Sequence, residues 1–209
     1  MHRRGGLVER VPMNADSKSV LRVVFVTLFL DLIGFSIIFP LFPSMLDYYL
    51  IHEGHAGLFG QIVGGIDRFS VMAGGGPHGT VVLFGGLLGS LYSLLQFVFA
   101  PIMGSISDRH GRRPVLLLSV AGMALSYLLW FFSKTFLMLV LARLIGGIMS
   151  GNISTATAVV ADVTTEGDRP KGMALIGIAF GVGFILGPAL GGISAGLDLT
   201  KLWPELAHY

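Results

Sequence analysis

The sequence predicts an all-α membrane protein. Three observations carry that prediction: a charge-poor composition, five apolar stretches of spanning length, and basic residues gathered between alternate stretches. Of the 209 residues, 53% are hydrophobic and 12% charged, against roughly 25% charged in soluble domains. With a mean hydropathy of +0.78, the main solvent of this chain is lipid, and a soluble enzyme is excluded. There is no cysteine, which removes disulfides, thiolate nucleophiles, zinc-thiolate sites and iron-sulfur clusters and leaves the redox compartment unread. A spanning helix uses about 20 residues, so this length holds about five or six spans, few for a carrier.

Taken in order, residues 1–22 are polar and basic without apolar periodicity, and read as a disordered cytoplasmic tail. The apolar stretch 23–43 is too long for a signal-peptide core and lacks a small-residue cleavage site, so it reads as an uncleaved first span. Residues 44–79 read as a glycine-rich outer loop, in which Leu58, Phe59, Ile62 and Val63 leave room for a short surface helix. His52 and His55 in this loop have i,i+3 spacing but no third ligand, so no metal site is expected. Four further spans follow at about 80–103, 114–133, 135–161 and 172–195, and residues 196–209 form an outer tail.

Basic residues are retained on the cytoplasmic side during insertion. With the N-terminus inside, ten of the 14 lysines and arginines fall on that side: Arg3, Arg4, Arg10, Lys18, Arg22, Arg109, Arg112, Arg113, Arg169 and Lys171. Arg68, Lys134 and Lys201 fall outside, and Arg143 lies within a span. The net charge of +2 and the pI near 9.1 therefore reflect topology, and no basic stripe points to nucleic acid. Tyr48 and Tyr49 after the first span, and Trp130, Phe131 and Phe132 at the end of the third, suit the outer interface.

The deepest ionisable groups are Asp31 and Arg143. A charge at the bilayer centre costs on the order of 3 kcal/mol by insertion scales, so each calls for a partner. Each lies eight residues into its predicted span from opposite sides, about 12 Å at 1.5 Å per residue, which leaves a depth difference of roughly 6 Å that an arginine can bridge. One reading makes Asp31 a proton-titratable carboxylate poised between desolvation and Arg143. The other makes the two a structural ion pair that fixes how the first and fourth spans pack.

Between the second and third spans the sequence runs GSISDRHGRRP, residues 104–114. Gly104 permits close packing, Gly111 a tight turn, and Pro114 the first turn of a new helix. Arg109, Arg112 and Arg113 anchor the loop at the headgroups, and Asp108 stands unexplained among them. This GxxxDRxGRR pattern resembles the loop signature of the major facilitator superfamily of transporters. LDLIGFSIIFPLFP (30–43) resembles the first-helix signature of its drug:proton antiporter branch, and LARLIGG (141–147) its fourth-helix arginine motif. GFILGPALGG (183–192), with Gly183, Gly187, Pro188, Gly191 and Gly192, resembles the antiporter motif of the fifth helix; alone it is also an ordinary small-residue packing face. GGID (64–67), LFGGLLGS (83–90) and GNISTAT (151–157) are most similar to the tetracycline transporter-like members found in animals.

The resemblance implies an N-terminal bundle of a twelve-helix carrier, five of its six helices present, whose two bundles rock about a midplane cavity. It assigns proton coupling or substrate binding to Asp31 and Arg143. A conformational latch falls to the loop residues Gly104, Asp108, Arg109, Gly111, Arg112 and Arg113, with Asp162 and Arg169 of the next inner loop as candidate partners. Asp162 reads equally as a solvated carboxylate at a helix end. The expected function is proton-coupled, alternating-access transport of small organic compounds, drugs or organic anions. Its expected partners are lipid, protons, the substrate and a second bundle, with no cofactor. The alternative is a truncated membrane protein with a structural or regulatory role, because the chain ends where a sixth helix is expected. An enzyme is not expected, since no nucleophile, base and orienting group lie together in the spans.

Overall fold

The computed structural model describes residues 15–196 apart from Ala56 and Pro77. Residues 1–14, including Arg3, Arg4 and Arg10, and the expected outer tail from residue 197 with Lys201 lie outside the described residues. All regular structure described is helical: α1 (Ala15–Ser36), a short 3-10 turn (Phe39–Leu41), α2 (Phe42–Glu53), α3 (Gly57–Met72), α4 (Gly79–His110), α5 (Arg112–Phe131), α6 (Phe136–Met149), α7 (Asn152–Val163) and α8 (Arg169–Gly196). Among the described residues, five segments are long and apolar enough to cross a membrane: Asp16–Glu53, Gly79–His110, Arg112–Phe131, Phe136–Val163 and Arg169–Gly196.

The first segment is longer than expected at both ends. Residues 15–22 are helical, because Leu21 and Val24 bury themselves in the core and Asp16 sits in the first turn, where a carboxylate favours the helix dipole. Pro40 and Pro43 each remove a backbone N–H, and the α-helical ladder gives way there to the 3-10 turn before α2 resumes. The stretch 44–79 is accordingly mostly helical. α3 is amphipathic: Phe59 and Val63, one turn apart, pack against Tyr49 and Phe136 in the same core, which covers the end of the bundle.

The fourth segment is interrupted in its middle. α6 ends at Met149, and α7 begins at Asn152 after Ser150 and Gly151. Glycine is required on this path, since a Cβ at Gly147 would lie 2.8 Å from Leu95 Cβ and 2.9 Å from the Tyr92 carbonyl of α4. The polypeptide turns from α4 to α5 at Gly111, whose φ of +91° is disfavoured for residues with a side chain.

Packing divides the interior into two apolar clusters. One joins Ile38, Phe42, Tyr49, Phe59, Phe84 and Phe136, from the ends of helices on the α2–α3 side. The other joins Leu21, Leu28, Leu32, Val159, Val160 and Ala179, from α1, α7 and α8. Elsewhere the buried polar side chains include Asp31, Ser126, Arg143, Ser150, Asn152 and Thr155. Much of the outer surface is apolar, with Phe97, Leu117 and Ile185 at least 60% exposed, as expected for a protein that meets lipid rather than water.

Candidate functional site

Asp31 sits on α1 with only 8% of its surface exposed. Two neutral donors hold its carboxylate. Asn152 Nδ2 donates to Oδ2 at 2.9 Å, and the Tyr127 hydroxyl lies 3.2 Å from Oδ1 and 3.0 Å from the Asp31 carbonyl. The interruption between α6 and α7 makes the first contact possible, because it puts Asn152 at the first position of α7, facing α1. Beside these groups lies a cleft of about 270 Å³, lined by Leu30, Asp31, Val120, Met123, Tyr127 and Asn152 among others.

The expected direct pair between Asp31 and Arg143 does not form: no ion pair links them among the described residues. Each oxygen of the carboxylate already has a neutral donor. Arg143, buried on α6, instead places its guanidinium carbon 5.0 Å from the centroid of the Trp130 ring, and its Nε has no hydrogen-bond partner among the described residues. A cation over an indole face is attracted by the ring quadrupole, more so where water is excluded. Asp31 and Arg143 still share neighbours, since Tyr92 and Tyr127 lie near both.

A second constellation surrounds the turn at Gly111. Arg112 Nε donates to Asp162 Oδ2 at 3.0 Å, its NH1 donates to Ser107 Oγ at 2.8 Å, and the same NH1 pairs with Asp108. One guanidinium fork thus joins the end of α4, the start of α5 and the end of α7. Arg169 donates to the Ala161 carbonyl at 3.3 Å. Arg109 and Arg113 are exposed, and Gly104 faces Ser154 at ordinary van der Waals distance.

The glycines of α8 divide into two groups. A Cβ on Gly183 would lie 2.7 Å from Leu32 Cβ, one on Gly187 3.0 Å from the Ile33 carbonyl, and one on Gly191 3.1 Å from Pro40 Cγ. These three recur every fourth residue and form the face on which α1 and the 3-10 turn after it rest. Gly192 faces open space, and Pro188 lies within the helix beside Gly187. Ser36 Oγ joins the two helices by donating to the carbonyls of Leu32 at 2.7 Å and Gly183 at 3.1 Å.

At the far end, Tyr48, Tyr49, Trp130, Phe131 and Phe132 line one cleft of about 380 Å³, so the two aromatic groups noted in the sequence meet at the same end of the bundle. The His52 ring stacks on Tyr48 at 4.1 Å. Sequence reasoning missed Asn152, Tyr127, Tyr92 and Trp130 as parts of the site. The available signal was polarity, since an amide or a phenol inside an apolar span needs a partner as a charge does.

Comparison with known proteins fits this geometry to a family. The family model described as Major Facilitator Superfamily matches residues 24–201. Major facilitator superfamily domain-containing protein 10 of Bos taurus is 45% identical over 192 residues, which cover 90% of this chain and 42% of the relative. The class B tetracycline resistance protein of Escherichia coli is 36% identical over 182 residues, 87% of this chain and 38% of that protein. The crystal structure of the human organic anion transporter MFSD10 (TETRAN) superposes with a TM-score of 0.79 at 45% identity, over 89% of this chain and 43% of that one. The chain spans about two-fifths of the length of these relatives. With five membrane-length helical segments and an α1–α8 glycine interface, this multi-pass membrane protein belongs to the major facilitator superfamily.

Proposed function

We propose that the chain serves proton-coupled transport of small organic compounds by alternating access, with Asp31 as the coupling carboxylate. The observation that carries this reading is a buried carboxylate in the first span held only by neutral donors and bordering a cleft. A carboxylate paired to arginine resists protonation, whereas one held by an amide and a phenol exchanges its proton with less electrostatic opposition. Protonation removes one charge from the buried layer and shifts the balance between inward-open and outward-open states by their differential affinity for the proton.

In this reading, Arg143 supplies the positive charge for the anionic group of an amphiphilic substrate. The tetracycline resistance relatives and the transporter of organic anions support that substrate class. The Arg112 fork, with Asp108 and Asp162, is the latch that closes and opens with the cycle, and Arg169 steadies the end of α7 beside it. The N-terminus lies in the cytoplasm, on the side of the arginine-rich turn. Transport of tetracycline in proteoliposomes under an imposed pH gradient tests the central claim. Asp31→Asn is expected to abolish acceleration by the gradient, and wild-type coupling in that variant would overturn the assignment.

A further inference from the structure

We infer that Asn152 is a positioning residue that follows the protonation state of Asp31 by rotation of its amide. The inference rests on the proposal that Asp31 carries the coupling proton. Asn152 is 1% exposed, its Nδ2 donates to Asp31 Oδ2 at 2.9 Å, and its Oδ1 is buried without a partner among the described residues. A buried amide oxygen left unpaired is uncommon and calls for a reason.

The chemistry of the pair provides that reason. An ionised carboxylate only accepts hydrogen bonds, while a carboxylic acid also donates one. A cation in the place of Asn152 would lose its partner when Asp31 is protonated. An amide carries a donor and an acceptor on one group, and a half-turn about its last side-chain torsion exchanges them. When a proton from water in the adjoining cleft settles on Oδ2 of Asp31, that O–H donates to the turned Oδ1, and Nδ2 becomes the unpaired atom. One amide atom is unpaired in either state, so this penalty favours neither. The rotation is confined to the side-chain amide, and Gly151 before it leaves no room for a side chain against Met103 of α4.

The surroundings leave this role to Asn152. Tyr127 on α5 bonds the other carboxylate oxygen, Tyr92 on α4 lies near Asp31 as a neutral phenol, and Arg143 on α6 is engaged over Trp130. The buried residues of α8 are Gly172, Ala179, Gly183, Gly187 and Gly191, none of them titratable.

The test needs no transport. Trp130 and Trp203 are the only tryptophans, so Trp203→Phe leaves Trp130, on which Arg143 rests, as the single reporter. Its fluorescence is followed against pH in the protein reconstituted in phosphatidylcholine vesicles. A transition is expected that Asp31→Asn abolishes. Asn152→Leu removes the donor to the ionised carboxylate and the acceptor of the protonated one, and moves the midpoint toward alkaline pH by about one unit, because a hydrogen bond to a charged group is worth more than one between neutral groups. Asn152→Gln restores the midpoint, which a merely space-filling role would not require. Asn152→Ala gives the same shift and stands in should the leucine variant fail to fold. An unmoved midpoint in both the leucine and alanine variants, with Asp31→Asn still abolishing the transition, overturns the role of Asn152 alone. A transition that survives Asp31→Asn removes the proton-coupling reading and this inference with it.

Discussion

Two glycines five residues apart on α8 are expected to respond to the same substitution with opposite signs. At Gly187, a Cβ would lie 3.0 Å from both the Ile33 carbonyl and Ser36 Cβ, and closer still to Ser36 Oγ. Relief requires Ser36 to turn away or α8 to withdraw from α1. Turning gives up hydrogen bonds to Leu32 and Gly183, each worth about 0.5–1.5 kcal/mol net. Withdrawal loosens a close-packed face, at about 1–3 kcal/mol. Against either stands about 1 kcal/mol gained by replacing glycine with alanine in a helix, so Gly187→Ala destabilises by up to about 2 kcal/mol. Among the described residues Gly192 has no heavy atom within 4 Å of such a Cβ, so Gly192→Ala retains the gain of up to about 1 kcal/mol. Thermal unfolding of the 209-residue chain in detergent micelles checks this, with Gly187→Ala melting below the parent and Gly192→Ala at or above it. If the two variants melt together, the α1–α8 face does not depend on glycine.

Further consequences follow from the two ends of the bundle. Arg112→Lys replaces a fork that reaches Asp108, Ser107 and Asp162 with a single ammonium. Stability should change by less than about 1 kcal/mol per exposed pair, while transport turnover falls at unchanged apparent affinity; equal turnover would argue against a latch. Asp108→Asn is expected to act in the same direction, again on rate more than affinity. Glu53 Oε1 accepts the Phe136 N–H at 2.5 Å, fastening α2 to the start of α6. Glu53→Ala should therefore lower the melting midpoint by the equivalent of about 1 kcal/mol, and an unchanged midpoint would show that Thr135, which accepts the Met138 N–H, caps α6 adequately by itself.

Several parts of the site are legible in the order of residues alone. Asp31 and Arg143 stand out as charges in apolar spans, and the turn after Asp108 is marked by a glycine whose φ is indeed positive. The bond from Arg112 to Asp162 is within reach of topology, since both residues fall on one side of the membrane. The bond from Asp31 to Asn152 is not, because 121 positions separate the two. Nothing periodic in the sequence says which way a broken helix turns its first residue. The stretch 44–79 is helical rather than the expected loop for a related reason: the many glycines of α3 disfavour a helix locally, and burial of Phe59 and Val63 against another helix outweighs that preference.

What the sequence determined by itself is the number of apolar segments, the family and the positions of the costly groups. Hydropathy, glycine turns and charge are local properties, and lipid sets a high penalty on every departure from them. What only the tertiary structure decided is the partner each costly group takes. Asp31 is held by an amide and a phenol, Arg143 lies over an indole, and Gly183 and Gly187 meet α1 while Gly192 does not. Those choices depend on the rotation of each helix about its axis, which close packing against its neighbours sets and composition does not record.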